Sequence, residues 1–417
     1  MLILIAAWMA LSSCAVPGTA SQQIMARVTL GADLPLSGDD AQDGIPVKQA
    51  IDLAIKQAGL VCGAKSHQDA CLQLKAMAAD DVTRGIHDPV TGANNVQRLA
   101  GDARVIALIG PLYDSLAKSE LPVANAAILA IVSPAVTDEC LTQEPADGHC
   151  HGLAARLRPR KLNSFFRVVT TELVEGTAGA DLAFGRLGKG RAFVVNDQTG
   201  FGQGLARTFA ERFVHDGGTI IDPSDLGAFD PNQPPDFGAR VERARELGAD
   251  VLYFAGSEVG AAAALRRAMI ARGLPVPLIG AHPLASSQYA RLAGDAAIGS
   301  YYTLVGPNPA AIRQAAGFMR DYRAAYRQPA GRISLAAFDA TTIVIRALSR
   351  AIDDAGGKTP TREQVLTEIS RTSNDAGAMG TMSFDAQGDT TLKLLAAYQW
   401  VAAAEGTGRF LADLVVR

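Results

Sequence analysis

The sequence is poor in net charge and in aromatic residues, and each shortage narrows the class of protein. Its 39 lysines and arginines nearly balance its 42 aspartates and glutamates, which leaves a formal charge of −3 over 417 residues. No global basic field therefore favours nucleic acid as a partner. Aromatic residues make up only 6% of the chain. The dominance of alanine, glycine and valine instead favours α/β layers over a β-sandwich.

Catalytic signatures are also missing from the sequence. The Gly202-Gln203-Gly204 step lacks the third glycine of a dinucleotide-binding GxGxxG motif because position 207 is arginine. No HExxH or GxSxG motif occurs, and the six histidines form no Ser/His/Asp arrangement. We therefore predict a protein that is not an enzyme and that needs no cofactor. A hydrolase acting on amides or sugars is the alternative.

Long hydrophobic runs are confined to the beginning of the chain. Beyond the first twenty residues no stretch reaches the ~18 uninterrupted apolar residues expected of a transmembrane helix. Leu2 to Leu11 form a ten-residue apolar run, the length of a secretory signal core. The run ends in Leu11-Ser12-Ser13-Cys14, which resembles the lipobox of bacterial lipoproteins. We predict that residues 1–20 hold the signal, that Cys14 is lipidated, and that the protein lies in the periplasm or cell envelope. Its only membrane attachment would then be this N-terminal lipid. Cleavage of a plain secretory signal after Gly18-Thr19-Ala20 is the alternative.

The cysteine count is consistent with a lipidated first cysteine. Five cysteines occur, and lipidation of Cys14 leaves Cys62, Cys71, Cys140 and Cys150. Four cysteines allow three connectivities, of which 62–71 and 140–150 are the local ones, so we predict these two disulfides. A zinc site using Cys140, His149, Cys150 and His151 is the alternative, although no CxxC-type spacing supports it.

Short apolar runs alternate with helical periods along most of the chain, as in a parallel-sheet α/β protein. The polar segment 137–163 separates two such arrays, which predicts two similar doubly wound lobes. Residues 381–384 and 392–400 predict a terminal hairpin around a turn-rich step. The predicted strands are 28–34, 71–78, 105–109, 129–133, 191–196, 219–221, 250–255 and 277–280. The predicted helices are 45–58, 94–101, 118–127, 203–214, 237–247, 260–271, 309–326, 335–355 and 361–370.

Several motifs, in this order, resemble the branched-chain amino-acid-binding family of bacterial importers. They cover residues 27–402, nearly the whole mature chain, and their joint order is more specific than any one of them. The motifs are Gly31 to Gly38 (GADLPLSG), Gly110-Pro111, Ser133 to Thr137 (SPAVT), Phe166-Arg167, Asp197 to Gly204 (DQTGFGQG), Phe338-Asp339-Ala340 and Phe384 to Asp389 (FDAQGD).

The resemblance implies a type I periplasmic-binding fold, with two doubly wound parallel-sheet lobes joined by a three-segment hinge. The first lobe would comprise residues 27–169 and 304–390, and the second residues 170–303 and 391–417. A small-molecule ligand would bind between the lobes and be trapped by hinge closure. The protein would be a monomer that delivers the ligand to the permease subunits of an ABC importer. A ligand-sensing or regulatory role in the envelope is the alternative.

The resemblance also assigns candidate ligand-binding residues. The family's carboxylate-binding serine falls at Asp114, with Ser115 beside it, while Ala135 and Thr137 keep the rest of that subsite. The acidic partner of the ligand's ammonium group falls at His282. The remaining candidates are wall positions: Asp43 in the first lobe and Phe201, Ser257 and Glu258 in the second.

These replacements predict that the ligand is not leucine, isoleucine or valine. An ionised Asp114 would repel a carboxylate 4 Å away by about 4 kcal/mol in a surface-like dielectric. We therefore expect an amino-acid-like or amide-like ligand with a cationic or hydrogen-bond-donating group facing Asp114. In the alternative interpretation, Asp43 and Asp114 cap helices or face solvent and Ser115 takes over the carboxylate.

Overall fold

The computed structural model describes residues 23–145, 148, 150–224, 227–229, 237–402 and 408–416. The predicted signal segment and Cys14 lie outside the described residues, as does His149 of the alternative zinc site. Within the described part of the chain, no helix is both long and apolar enough to cross a membrane.

Seventeen strands and twelve α-helices make up the described fold. The strands are β1 Gln23–Leu34, β2 Leu60–Cys62, β3 Ala70–Asp80, β4 Val82–Thr83, β5 Ile86–His87, β6 Val105–Ile109, β7 Ala130–Ser133, β8 Phe165–Arg167, β9 Arg191–Asn196, β10 Thr219–Ile220, β11 Val251–Ala255, β12 Leu278–Gly280, β13 Ser300–Val305, β14 Asp375–Ala376, β15 Thr381–Met382, β16 Leu394–Gln399 and β17 Arg409–Val415. The helices are α1 Ala41–Ala58, α2 Pro89–Gly101, α3 Asp114–Ala126, α4 Leu153–Arg156, α5 Leu173–Ala180, α6 Gly200–His215, α7 Phe237–Glu246, α8 Val259–Ala271, α9 Ser287–Ala293, α10 Ala316–Tyr326, α11 Ser334–Asp354 and α12 Arg362–Ser370.

Two large sheets form the centres of the two lobes. The first has the order β2-β3-β1-β6-β7-β8 and is parallel except at its β2 edge. The second has the order β10-β9-β11-β12-β13-β16-β17 and is parallel as far as β13. Every residue of the central strands β6 and β11 is buried, because helices cover both faces of each sheet.

The chain passes between the lobes three times. It leaves the first sheet after β8, returns after β13 to form α10, α11 and α12, and enters the second sheet again at β16. The first-lobe core accordingly combines residues between 28 and 169 with residues between 315 and 384. The fold is thus the expected pair of doubly wound lobes with a three-segment hinge. We propose lobe boundaries at residues 169, 303 and 390, near these crossings.

The predicted terminal hairpin is wrong. Strand β15 pairs with the short strand β14, whereas β16 lies in the second sheet between β13 and β17. An isolated bridge between Phe384 and Thr390 closes the turn before β16, and Thr390 lies outside the segment expected to pair. An isolated two-stranded hairpin is marginal in water, and the apolar start of β16 is buried inside the seven-stranded sheet instead.

Both predicted disulfides are present. Cys62 and Cys71 are joined across the antiparallel pair β2–β3, and Cys140 and Cys150 close a loop beyond β7. A disulfide leaves no thiolate to ligate zinc.

A buried ion pair connects the two segments of the first lobe. Arg167, which is fully buried, donates from Nε to Asp389 Oδ1 at 2.6 Å and from Nη1 to the Asp138 carbonyl at 2.8 Å. The second Asp389 oxygen accepts hydrogen bonds from Thr142 and Gln143. Two of the sequence motifs, Phe166-Arg167 and the segment ending at Asp389, therefore meet in one network. Removing either partner would leave the other charge buried and unpaired, so the network needs both residues.

Candidate functional site

A cavity of about 480 Å³ lies between the two lobes. This volume lies within the range of about 300–1,000 Å³ typical of small-molecule sites. Its walls include five of the predicted ligand-binding residues: Asp43, Asp114, Ala135, Thr137 and His282. Asp114 follows β6, the segment 135–137 follows β7, and His282 follows β12, so all three come from loops at the carboxyl ends of parallel strands, where such sheets bind ligands.

The loops after β6 and β7 are tied to each other. Ser133 Oγ donates to the Pro111 carbonyl at 2.9 Å and accepts the backbone N–H groups of Ala135 and Val136 at 3.2 and 3.0 Å. Gly110 has φ +117°, and a Cβ there would lie 2.6 Å from the Asp33 carbonyl oxygen. Glycine is therefore required at this point of the loop. The two motifs form one rigid edge of the cavity.

Asp114 begins α3 and holds the loop after β7. Its Oδ1 accepts the backbone N–H groups of Thr137 and Asp138 at 3.0 and 3.1 Å. Burial raises the pKa of the Asp114 carboxyl and the neighbouring Asp138 charge adds to this, while the two N–H donors and Arg167 oppose it. Among the described residues, no donor reaches Asp114 Oδ2, so this oxygen is available to the cavity.

His282 lies on the second-lobe side of the cavity and is oriented by Glu175. The ring Nδ1 lies 2.7 Å from Glu175 Oε2, and the His282 backbone N–H donates to Glu175 Oε1 at 3.1 Å. The Glu175 side chain is fully buried, whereas that of His282 is 45% exposed. Burial lowers the pKa of His282, but the charge and hydrogen bond of Glu175 outweigh it, and the net pKa is raised. The second ring nitrogen remains for a ligand.

Two charged groups from the first lobe complete the polar lining. Asp43 lies in the first turn of α1, and Arg332 precedes α11. Arg332 Nη2 lies 3.8 Å from Asp43 Oδ2, and the Arg332 side chain is 62% exposed. The Arg332 charge also acts on His282, where it opposes the rise in pKa. The cavity thus contains two acidic and two basic side chains.

Much of the remaining lining is apolar and was missed by sequence reasoning. The missed residues include Leu112, Tyr113, Val169, Met379 and Tyr398, together with Arg332. Met379 is positioned by the Phe338-Asp339-Ala340 motif, because Asp339 accepts the backbone N–H groups of Ala378 and Met379 at 2.7 Å each. The Phe338-Asp339-Ala340 motif is therefore the sequence feature from which the position of Met379 could have been inferred. Tyr398 lies on β16, which the hairpin prediction had paired with residues 381–384 instead of with β13.

The other four predicted residues do not line the cavity. Ser115 is exposed on α3, and Ser257 and Glu258 are exposed at the start of α8. Ser257 donates to Asp197 Oδ2 from both its N–H and its hydroxyl, at 2.8 and 3.2 Å. Phe201 lies at the start of α6, and its ring centroid is 5.4 Å from that of His282. Their contact with a ligand therefore remains a prediction for a closed form.

The hinge carries a separate group of carboxylates. Oxygens of Asp138, Glu139 and Glu172 lie within 4.8 Å of one another. Lys118 neutralises Asp138 at 2.7 Å, and burial raises the pKa of Glu172 far above its usual value, with the surrounding carboxylates adding to the rise. A protonated Glu172 and the pairing of Asp138 with Lys118 explain how these carboxyl groups can lie close together without a metal ion.

Comparisons with known proteins identify the family to which the chain belongs. The family model described as "Periplasmic binding protein" matches residues 27–406. A relative named Leu/Ile/Val-binding protein homolog 2, from Brucella abortus (strain 2308), is 24% identical over 385 residues, covering 91% of this chain and 92% of that protein.

Solved structures show the same fold. A leucine binding protein from Thermotoga maritima is 22% identical with a TM-score of 0.65, covering 93% of this chain and 99% of that one. A solute binding protein of an ABC transporter from Rhodopseudomonas palustris BisB5, in complex with 3,4-dihydroxybenzoic acid, is 18% identical with a TM-score of 0.61, covering 93% and 97%. The family match spans nearly all the described residues, and both lobes and the cleft between them are present. This chain belongs to the periplasmic binding protein family, as its resemblance to the branched-chain amino-acid-binding proteins predicted.

Proposed function

We propose that the protein is the extracytoplasmic solute-binding subunit of an ABC importer, and that it captures a small polar amino-acid-like or amide-like ligand by hinge closure. Periplasmic binding proteins bind solutes without converting them, so the chain is not an enzyme. The observation that carries the proposal is the cavity itself, which lies between two lobes joined by three crossings and is lined from both sides.

The lining supports a ligand with a polar end and an apolar part. Asp114 lines the cavity, and its Oδ2 accepts no hydrogen bond from the described residues, which suits an ammonium, amide or hydroxyl group on the ligand. Leu112, Val169 and Met379 provide apolar contacts for the rest of the ligand. Sites of this composition, mostly apolar with a few placed polar groups, are typical of small-molecule binding.

Hinge closure would complete the site. Phe201, Ser257 and Glu258 stand at the carboxyl ends of β9 and β11, on the same side of the second sheet as His282. Rotation of the second lobe toward the first would bring such residues over a ligand bound at Asp114. The closed form would then be the form presented to the permease subunits.

A thermal-shift screen tests the binding proposal. The protein is screened against amino acids, amides, short carboxylates, polyamines and purines. A ligand at 100 times its Kd adds about 2.7 kcal/mol, which corresponds to a rise in Tm of roughly 3 °C for a chain of this length.

Two tryptophan substitutions, one inside the cavity and one outside it as the control, test where the ligand binds. Ala135→Trp fills the cavity and should abolish the shift, whereas Ala271→Trp, at an exposed position on the outside of α8, should keep it. A screen in which no compound raises Tm, or in which Ala135→Trp retains the full shift, would contradict binding at this cavity.

A further inference from the structure

We infer that the cleft selects a dipolar ligand that spans its two walls, with its donor or cationic end on Asp114 and its acidic or acceptor end on His282. This inference rests on the proposed function and adds to it the class and the orientation of the ligand. It follows from which atoms of each wall are already occupied within the protein.

On the first-lobe wall Asp114 offers an acceptor, while the backbone N–H groups beside it are already hydrogen-bonded. The backbone N–H groups of Thr137 and Asp138 both point to Asp114 Oδ1, at 3.0 and 3.1 Å. The hydroxyl of Thr137 is directed to Glu172 Oε2 at 3.4 Å. A carboxylate on a ligand would have to displace the Asp114 carboxylate from these groups, and would meet its charge in doing so. Asp114 Oδ2 instead accepts a hydrogen bond from a ligand without any rearrangement.

The second-lobe wall contributes the imidazole ring of His282. His282 is fixed by two contacts to Glu175, through Nδ1 and the backbone N–H. Because Nδ1 is held by the buried Glu175, the second ring nitrogen is left for a ligand. The charge and hydrogen bond of Glu175 also raise the pKa of His282, which favours a proton on that nitrogen. Arg332, which belongs to the first lobe, lines the same cavity 3.8 Å from Asp43, so its charge is shared with that carboxylate.

A dipolar ligand satisfies both walls at once. A simple carboxylate is attracted by His282 and Arg332 but repelled by Asp114, and a simple amine experiences the reverse. A ligand with both groups also joins the lobes, because each lobe supplies one of its partners. Recognition and closure are thus linked in one contact pattern.

Calorimetry with matched probes tests the inference. The dipolar probes are the ω-amino acids from 3-aminopropanoate to 6-aminohexanoate; the single-charge probes are pentanoate and pentylamine. Wild-type protein should bind at least one dipolar probe at least tenfold more tightly than either single-charge probe. Asp114→Asn keeps an oxygen that can accept the Thr137 and Asp138 N–H groups, so the loop stays folded. This variant should weaken the dipolar probe at least tenfold and strengthen pentanoate.

The second wall is tested by His282→Leu, which should weaken the dipolar probe at least tenfold and leave pentylamine equal or tighter. Asp354→Asn and His215→Gln are the controls, since both residues are exposed and lie outside the cavity lining; they should change nothing. Equal binding of pentanoate and the dipolar probes by wild type, or an unchanged affinity in Asp114→Asn, overturns the inference. So does a ligand from the thermal-shift screen that carries a single charge or none, while the proposed function stands. The proposed function itself fails if no compound of either set binds, or if Ala135→Trp retains the full thermal shift.

Discussion

Three carboxyl groups lie buried in the first lobe, away from the cleft. Asp33, Asp81 and Glu120 are each at most 1% exposed. Both oxygens of Asp81, one of Asp33 and one of Glu120 accept no hydrogen bond from the described residues. Asn95 donates to the other Asp33 oxygen at 2.8 Å. Burial raises the pKa of all three, most clearly that of Asp81, which reaches about 8 with Asp33, Asp80 and Asp40 adding to the shift.

These groups predict that the protein loses stability as the pH rises. In the folded state Asp33 and Asp81 keep their protons to about pH 7 and pH 8, whereas in the unfolded chain these groups ionise near pH 4. Between these values unfolding releases protons, so the free energy of unfolding falls with rising pH. Denaturant unfolding should show this decrease, to which Asp81 alone contributes roughly 4 kcal/mol between pH 5 and pH 8.

The variant Asp81→Asn separates this effect from the rest of the protein. Removing the ionisable group should flatten the dependence of Tm on pH, while Asp295→Asn, at an exposed position in the second lobe, should leave it as in wild type. A pH dependence that is as steep in Asp81→Asn as in wild type would assign the effect to other groups.

Among the elements, the loops closed by the two disulfides depend on covalent support. The Cys62–Cys71 bond spans nine residues and the Cys140–Cys150 bond ten. In the chain-entropy model, closing a loop of this length is worth about 2–3 kcal/mol. The second loop also carries Thr142 and Gln143, which hold Asp389.

We predict that the double substitution Cys140→Ser and Cys150→Ser lowers the free energy of unfolding by about 2–3 kcal/mol. Cys62→Ser with Cys71→Ser should cost a similar amount, because the loops are of similar length. Guanidinium unfolding of the wild type with and without reductant provides the matching measurement. Free thiols in non-reduced peptide maps, or bound zinc in stoichiometric amount, would show that the pairs are not formed in the native protein.

The elements also show how far the sequence could predict the fold. The buried strands β6 and β9 begin and end where predicted, because uninterrupted apolar runs bounded by polar residues have few alternative registers. Helix α10 begins at Ala316 rather than at Pro309, after a short 3₁₀ turn. Helix α5 was missed, as its many glycines and alanines give a weak period.

The candidate site divides in the same way. Positions directly after strands, such as Asp114 and Thr137, could be placed from the sequence because parallel strands bring their carboxyl ends together. The hydrogen bonds from the backbone of residues 137 and 138 to one oxygen of Asp114 could not be predicted, because they depend on the spacing of two loops. Arg332 and Tyr398 reach the cleft from distant segments, and no local pattern distinguishes them.

For the whole molecule, we propose attachment to the membrane through a lipid on Cys14. A single acyl chain holds a protein only marginally, whereas two or three hold it firmly. Mass spectrometry of the native protein should show a lipidated Cys14 as the first residue, and Cys14→Ser should release the protein into the soluble fraction. A soluble native protein that begins near Ser21 would contradict the proposal.

The pairing of Arg167 with Asp389 bears on how the molecule is made. The two residues are 222 positions apart, which is roughly 10–45 s of synthesis at 5–20 residues per second. Until the later segment emerges, Arg167 lacks its charge partner, and the first-lobe core lacks the residues between 315 and 384. Much of the nascent chain must therefore wait in a non-native state for its end. A chain that completes both lobes only late in translation remains open to threading through a secretion channel for most of its synthesis.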